Sequence, residues 1–444
     1  MASFEVSIGD SPSSKIPLHA NDEAGATIMS SVVNLANVIM GVGILALPLA
    51  FSEAGWVLGS LLGLGSAALG VLSLHLLGES ARRANAKSFY AVCEASIPRF
   101  GIVIDVAVVV NSLLVCTSYL IVATDSLERI TGTGHDVRKV WTGVSALLVM
   151  PLVLLRRQDA LKFTSFLAVI VLLFITLLAF LFALPTSGAT LSPCKNGGPT
   201  PCEGAAIEAL GTDPLAVVRA FLTFVSAFKC QQNLLPIANE LENPTTARIL
   251  MVSSASIGLA LVLYAVVAFA GYLTFGNLVV GDLLEAYPAT SALIDVARCG
   301  IALVVITSYP LSSFAMRSSM RSLLSMCACA RDSCGAGGAD TARVTWVGPK
   351  IADSLVLEPL PYIISVSFVT FTLILAMIVT NLGFIVELGG AVVGNLIMLI
   401  APGLCYWRLT SSESPRRPLT YAALFMAIFG LIMVPIGIVT SFVK

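Results

Sequence analysis

Two polar interruptions inside apolar runs carry the chemistry of this 444-residue chain. The first is Gly41-Val42-Gly43, within "NLANVIMGVGILALPLAF" (Asn34–Phe51), with Pro48 shortly downstream. Glycine is a poor helix former, and proline cannot donate to the helix ladder. A helix that unwinds here exposes an N-terminal end, whose N–H groups and partial positive charge suit a carboxylate. Small residues also let membrane helices approach closely, so helix packing is the competing reading. The second interruption is Lys229-Cys230-Gln231-Gln232-Asn233, which follows an apolar run ending at Phe228 and precedes Pro236. A lysine near a bilayer centre costs about 2.5–3.5 kcal/mol on insertion scales. This polar run must therefore face protein or water.

The elements that hold these residues follow from composition. The chain is 57% hydrophobic and 11% charged, with a mean hydropathy of +0.92, whereas soluble domains carry about a quarter charged residues. This is an all-α polytopic membrane protein. The formal charge of -1 gives no sign of a nucleic-acid partner, and the lipid bilayer is the partner that composition demands. Residues 1–26 are polar, without the apolar core of a signal peptide, and read as a disordered cytosolic tail.

A crossing needs about 20 mainly apolar residues. On that ruler eleven spans lie near 27–50, 54–77, 102–123, 140–155, 163–184, 215–236, 250–275, 291–314, 361–380, 382–405 and 419–442. Spans 1–5 occupy 27–184, an extracytosolic loop 185–214, spans 6–10 residues 215–405 with a cytosolic loop 315–360, and span 11 residues 419–442. Of the 25 Lys and Arg residues, Arg219, Lys229 and Arg298 fall within spans. A cytosolic N-terminus leaves only Arg129, Arg138, Lys139, Lys195 and Lys444 outside, and the positive-inside rule selects that orientation. The C-terminus is then extracytosolic. The interrupted spans are the first and sixth. Five spans apart, they occupy matching places in two halves of inverted topology, which is the best sequence pointer to a transport site.

Cys194 and Cys202, in the Gly/Pro-rich loop "SPCKNGGPTPCEG", lie on the oxidising face and read as a disulfide. Cys327, Cys329 and Cys334 match no common zinc pattern. Asn111, Val115 and Tyr119 share one helical face, which lines a cavity or packs. Asn395 could line it too. Glu387 reads as a snorkelling surface carboxylate, and Asp295 and Arg298 as a neutralising i, i+3 pair. Lys229 has three readings: snorkelling toward the cytosol, facing an acidic substrate, or replacing a coupling cation.

Three motifs resemble the amino acid/auxin permease family, most nearly its sodium-coupled neutral and vacuolar members: "NLANVIMGVGILALPLAFSEAGW", "AFKCQQNLLPIANELENPT" and "GGAVVGNLIMLIAPGLCYWRL". The resemblance covers about residues 27–442 and departs at Lys229, where the relatives carry an apolar residue. It implies a LeuT-like fold of two inverted five-helix repeats plus an eleventh helix. It also implies alternating access of an amino acid, neutral and glutamine-like, with sodium or a proton as coupling ion, no cofactor and a monomeric carrier. The substrate carboxylate would meet N–H groups at Gly41, Val42 and Gly43. The amino group would meet carbonyls from Phe228 through Lys229 and Cys230 to Gln231. A coupling sodium would sit between spans 1 and 8, on carbonyls from Ala36 to Ile39 and the hydroxyls of Thr307 and Ser308. The membrane is the plasma membrane or that of a vacuole or lysosome.

An amino-acid sensor or a channel on the same scaffold is the alternative. An intramembrane enzyme would need paired carboxylates or a histidine cluster within spans, and only His75 of the three histidines lies in one.

Overall fold

The computed structural model describes residues 26–131, 135–154, 162–184, 194, 201–288, 292–335, 360–411, 413 and 418–442. The N-terminal tail up to residue 25 and the loop stretch 336–359 lie outside these, as do the side chains of Cys327, Cys329 and Cys334. The elements are α1 (Ile28–Ile39), α2 (Gly43–Ala54), α3 (Trp56–Ala84), α4 (Phe89–Ser96), α5 (Phe100–Thr131), α6 (His135–Val153) and α7 (Lys162–Ala183). Then come α8 (Pro214–Phe228), α9 (Gln231–Glu240), α10 (Thr246–Phe275), α11 (Leu283–Ala286), α12 (Ala292–Gly335) and α13 (Leu360–Ile378). The chain closes with α14 (Leu382–Leu388), a π-helical segment (Gly389–Ile400), α15 (Ala401–Thr410) and α16 (Pro418–Phe442).

Seven described helices are long and apolar enough to cross a membrane, or eight if α1 and α2, bent by 58°, form one broken span. Three further segments read as spans from sequence are present as shorter or interrupted helices: α6, α8 with α9, and α13. α12 runs on to Gly335, past the end at 314 read from sequence. Residues 315–334 contain no glycine or proline to stop it.

Local chemistry sets the breaks. Thr27 caps α1 by accepting from the Ser30 N–H, and the helix ends where Gly41 N–H turns back to the Ile39 carbonyl, 2.8 Å. Asp213 caps α8 by accepting from Leu215 and Ala216, with Pro214 at the first helical position, where a missing N–H costs nothing. α8 stops at Lys229, whose backbone is extended. Asn381 caps α14 by accepting from Phe384 N–H, 3.2 Å. This separates α13 from α14 where the apolar run is interrupted.

The two faces are stitched differently. On one, Cys194 and Cys202 are bonded. Cys202 N–H donates to the Thr274 carbonyl, while Trp56, Val57 and Gly211 tie residues 208–211 to the α2–α3 turn. Arg219 pairs with Glu53 at 2.9 Å and Arg129 with Glu285 at 2.7 Å. On the opposite face Ala26 forms an isolated parallel bridge with Leu241, and Arg83 joins Glu413. Large apolar side chains such as Leu147, Phe166, Phe425 and Phe442 are exposed around the outside, as a lipid-facing belt requires.

Candidate substrate site between two helix breaks

The breaks in α1–α2 and α8–α9 lie against one another. A Cβ on Gly43 would stand 3.4 Å from the Ala227 backbone. Beside them is a cavity of about 110 Å³, lined by both breaks and by α5, α12 and α14. Gly41, Val42, Gly43, Ile39, Asn111, Tyr119, Lys229 and Ser308 all face it. The break in α1–α2 leaves the first turn of a twelve-residue helix, α2, pointing at this space. The N–H groups of Ile44 and Leu45 turn back to the carbonyls of Gly41 and Val42 at 3.3 and 3.1 Å, so the donors of this helix start left for a ligand are those of Val42 and Gly43.

Several expected site residues stand elsewhere. Phe228 is buried against the Tyr264 ring, with centroids 5.1 Å apart, and Cys230 and Gln231 are buried behind the cavity wall. Ala36 is buried and its carbonyl accepts from Met40 N–H. The Thr307 hydroxyl donates to the carbonyls of Leu303 and Val304 in its own helix. Of the residues offered for a coupling cation, Ile39 and Ser308 line the cavity, and Ala36 and Thr307 do not. The Ile39 carbonyl accepts from Gly41 N–H, Thr307 donates within its own helix, and of these two hydroxyls Ser308 is the one on the cavity wall.

One sequence reading is narrowed, one corrected and one borne out and extended. Lys229 does not run along α9 toward the face carrying Ala26. Its Nζ donates to the Ser226 Oγ, 3.2 Å away and one turn back along α8, because Gly389 leaves room there. A Cβ on Gly389 would stand 3.3 Å from that Nζ. Glu387 is not a surface carboxylate, being 1% exposed. Arg298 does more than neutralise Asp295 at 3.0 Å, since it also donates to the carbonyls of Leu284 and Tyr287 and so holds α11. Asn395 is buried and donates to Ala391 within its own helix.

The sequence did not single out Tyr264, on α10. Its hydroxyl donates to the Ile39 carbonyl at 2.6 Å and lies 3.1 Å from that of Ala227, so one side chain joins both breaks. Ser118, Ser226, Gln232 and Ser312 also line the cavity. Asn111 donates to the Gln232 Oε1, 3.2 Å.

Residues 24–443 match the family model described as transmembrane amino acid transporter protein. The chain is similar to vacuolar amino acid transporter 5 of Schizosaccharomyces pombe, at 28% identity over 86% of this chain and 84% of that one. It is similar to vacuolar amino acid transporter 6 of Saccharomyces cerevisiae, at 28% identity over 92% and 97% of the two chains. Sodium-coupled neutral amino acid transporter 7 of Danio rerio is 25% identical, over 95% and 87%. With nearly its whole length matched, the chain belongs to the transmembrane amino acid transporter family, the amino acid/auxin permeases that its motifs resemble.

Proposed function

We propose that this protein is a secondary active transporter that moves amino acids across a membrane by alternating access, coupled to sodium or protons. The observation that carries the reading is the cavity between two broken helices. Half-helix ends at membrane depth are tolerated where they line a cavity, and they give a zwitterion the opposite partial charges that it needs. In this reading Gly41, Val42 and Gly43 receive the carboxylate. Asn111, Tyr119 and Lys229 shape the rest of the site, and Ser308 serves the coupling ion. The eleven-span count, the inverted repeat, a cytosolic N-terminus and a monomeric, cofactor-free carrier belong to the same proposal. The family-level expectation for the substrate is a neutral amino acid of glutamine size, in a plasma, vacuolar or lysosomal membrane.

The test is uptake by proteoliposomes of a labelled amino-acid panel, with sodium and proton gradients imposed separately. Saturable, gradient-driven uptake with counter-flow supports the proposal. Non-saturating flux would indicate a channel, and binding without flux a sensor.

A further inference from the structure

We infer that the cavity accepts a dicarboxylic amino acid, the acidic counterpart of glutamine, with the second carboxylate on Lys229. This rests on the transport reading and names the substrate class of the same site. Among the described residues that line the cavity, Lys229 is the one charged side chain, and no carboxylate lies on the wall. Two helix starts, those of α2 and α9, open at the breaks and add partial positive charge. The compensating negative ends are partly taken. The carbonyls of Ile39 and Ala227, the last turns before each break, already face the Tyr264 hydroxyl. The site therefore has a surplus of positive potential before any ligand enters. An uncompensated ammonium in a cavity of low dielectric is costly, and a ligand carboxylate offsets it.

The geometry supplies the remaining contacts. An ammonium has three N–H donors, and Ser226 accepts one of those on Lys229. Gly389, without a side chain, keeps the approach to this amine open. Asn111 is 3% exposed, and its Oδ1 has no hydrogen-bond partner. It faces the cavity as a waiting acceptor for the ligand's α-ammonium. The α-carboxylate goes to Val42 and Gly43 at the start of α2. The second carboxylate goes to Lys229, beside the other break. Glutamine matches glutamate in size but cannot neutralise this amine.

The experiment uses the purified full chain. Uptake of labelled L-glutamate and L-glutamine into proteoliposomes is measured for the wild type, Lys229→Met and Lys229→Arg. Thermal stabilisation by each amino acid is read alongside. The wild type is expected to prefer glutamate. In Lys229→Met the glutamate-to-glutamine preference should fall by about ten- to a hundredfold, the worth of a hydrogen bond to a charged group, and Lys229→Arg should restore part of it. A wild type that moves glutamine and not glutamate overturns the inference and leaves the transport reading standing. So does a Lys229→Met variant that loses both substrates alike. If no amino acid is transported, the transport reading falls. The stabilisation data then decide the site: glutamate must stabilise the wild type and not Lys229→Met.

Discussion

The Tyr264 hydroxyl donates to the Ile39 carbonyl across 2.6 Å, joining α10 to the last turn of α1. The same oxygen lies 3.1 Å from the Ala227 carbonyl in the last turn of α8. One proton thus serves two helix ends whose carbonyls have lost their helical partners. Tyr264→Phe should leave both oxygens without this donor, at about 1–3 kcal/mol for the buried groups. Uptake should fall by about tenfold or more, with protein still in the membrane. A thermal shift of the purified variant beside its uptake rate checks this, and an unchanged rate would remove Tyr264 from the site.

Gly43 and Gly41 differ in what a side chain would meet. A Cβ at Gly43 approaches the Ala227 backbone at 3.4 Å, while one at Gly41 reaches only the Tyr119 hydroxyl at 3.7 Å. Gly43→Leu should abolish uptake by separating the breaks and filling the carboxylate position. Gly41→Ala should retain part of it. Normal transport by Gly43→Leu would mean that the break does not hold substrate.

Ser308 is a hydroxyl of α12 on the cavity wall, as is Ser312, while Thr307 is bonded within its own helix. If sodium drives uptake, Ser308→Ala should raise the sodium concentration needed for half-maximal rate, since a hard cation takes oxygen ligands. Thr307→Val should alter it little. Sodium titrations at saturating substrate separate the two, and a parent protein indifferent to sodium turns the coupling to protons.

The Cys194–Cys202 bond closes a loop with a sequence separation of 8. Its loss in Cys202→Ser should cost at most about 3 kcal/mol, because little loop entropy is removed by so short a closure. Non-reducing peptide mapping should find the pair bonded, and free thiols would contradict the structure.

Asp282 lies between α10 and α11 and caps α11 by accepting from the Leu284 N–H. Burial pushes its carboxyl up to about 7, and neighbouring Glu285 adds to this against the opposing pull of Leu284 N–H and Arg298. Its folded pKa is thus raised above the ordinary value of 3.8. The folded state holds this proton more tightly, so the contribution of Asp282 to stability is greatest at acid pH and is lost as pH rises from about 4 toward 7. Asp282→Asn keeps an acceptor for Leu284 and should flatten this slope. Melting temperatures across that window, for parent and variant, test it.

Much of the site was legible because its signals are local. Gly41, Gly43 and Pro48 weaken a helix wherever they occur, and a polar run from Lys229 to Asn233 cannot face lipid in any fold. The cap at Asn381 likewise sits where the apolar run is interrupted. What escaped was tertiary. Tyr264 lies in an apolar helix where a tyrosine reads as packing, and its partner Ile39 is 225 residues away. Glu387 looked like a surface residue because its place near a span end suggested water, but its burial depends on what packs around that span. Which way Lys229 turns depended on Gly389, a residue whose contribution is the space it leaves.

The segment that follows the disulfide, residues 202–211, is bonded to the α2–α3 turn at Trp56, Val57 and Ala54, and to the end of α10 through Cys202. It works as a strap across one face. Elements lashed together there cannot part by sliding, because each displacement would stretch several short backbone bonds at once. The opposite face holds α1 to the end of α9 by one isolated bridge. In the alternating-access reading, the strap would resist separation of α2, α3 and α10 on its own face.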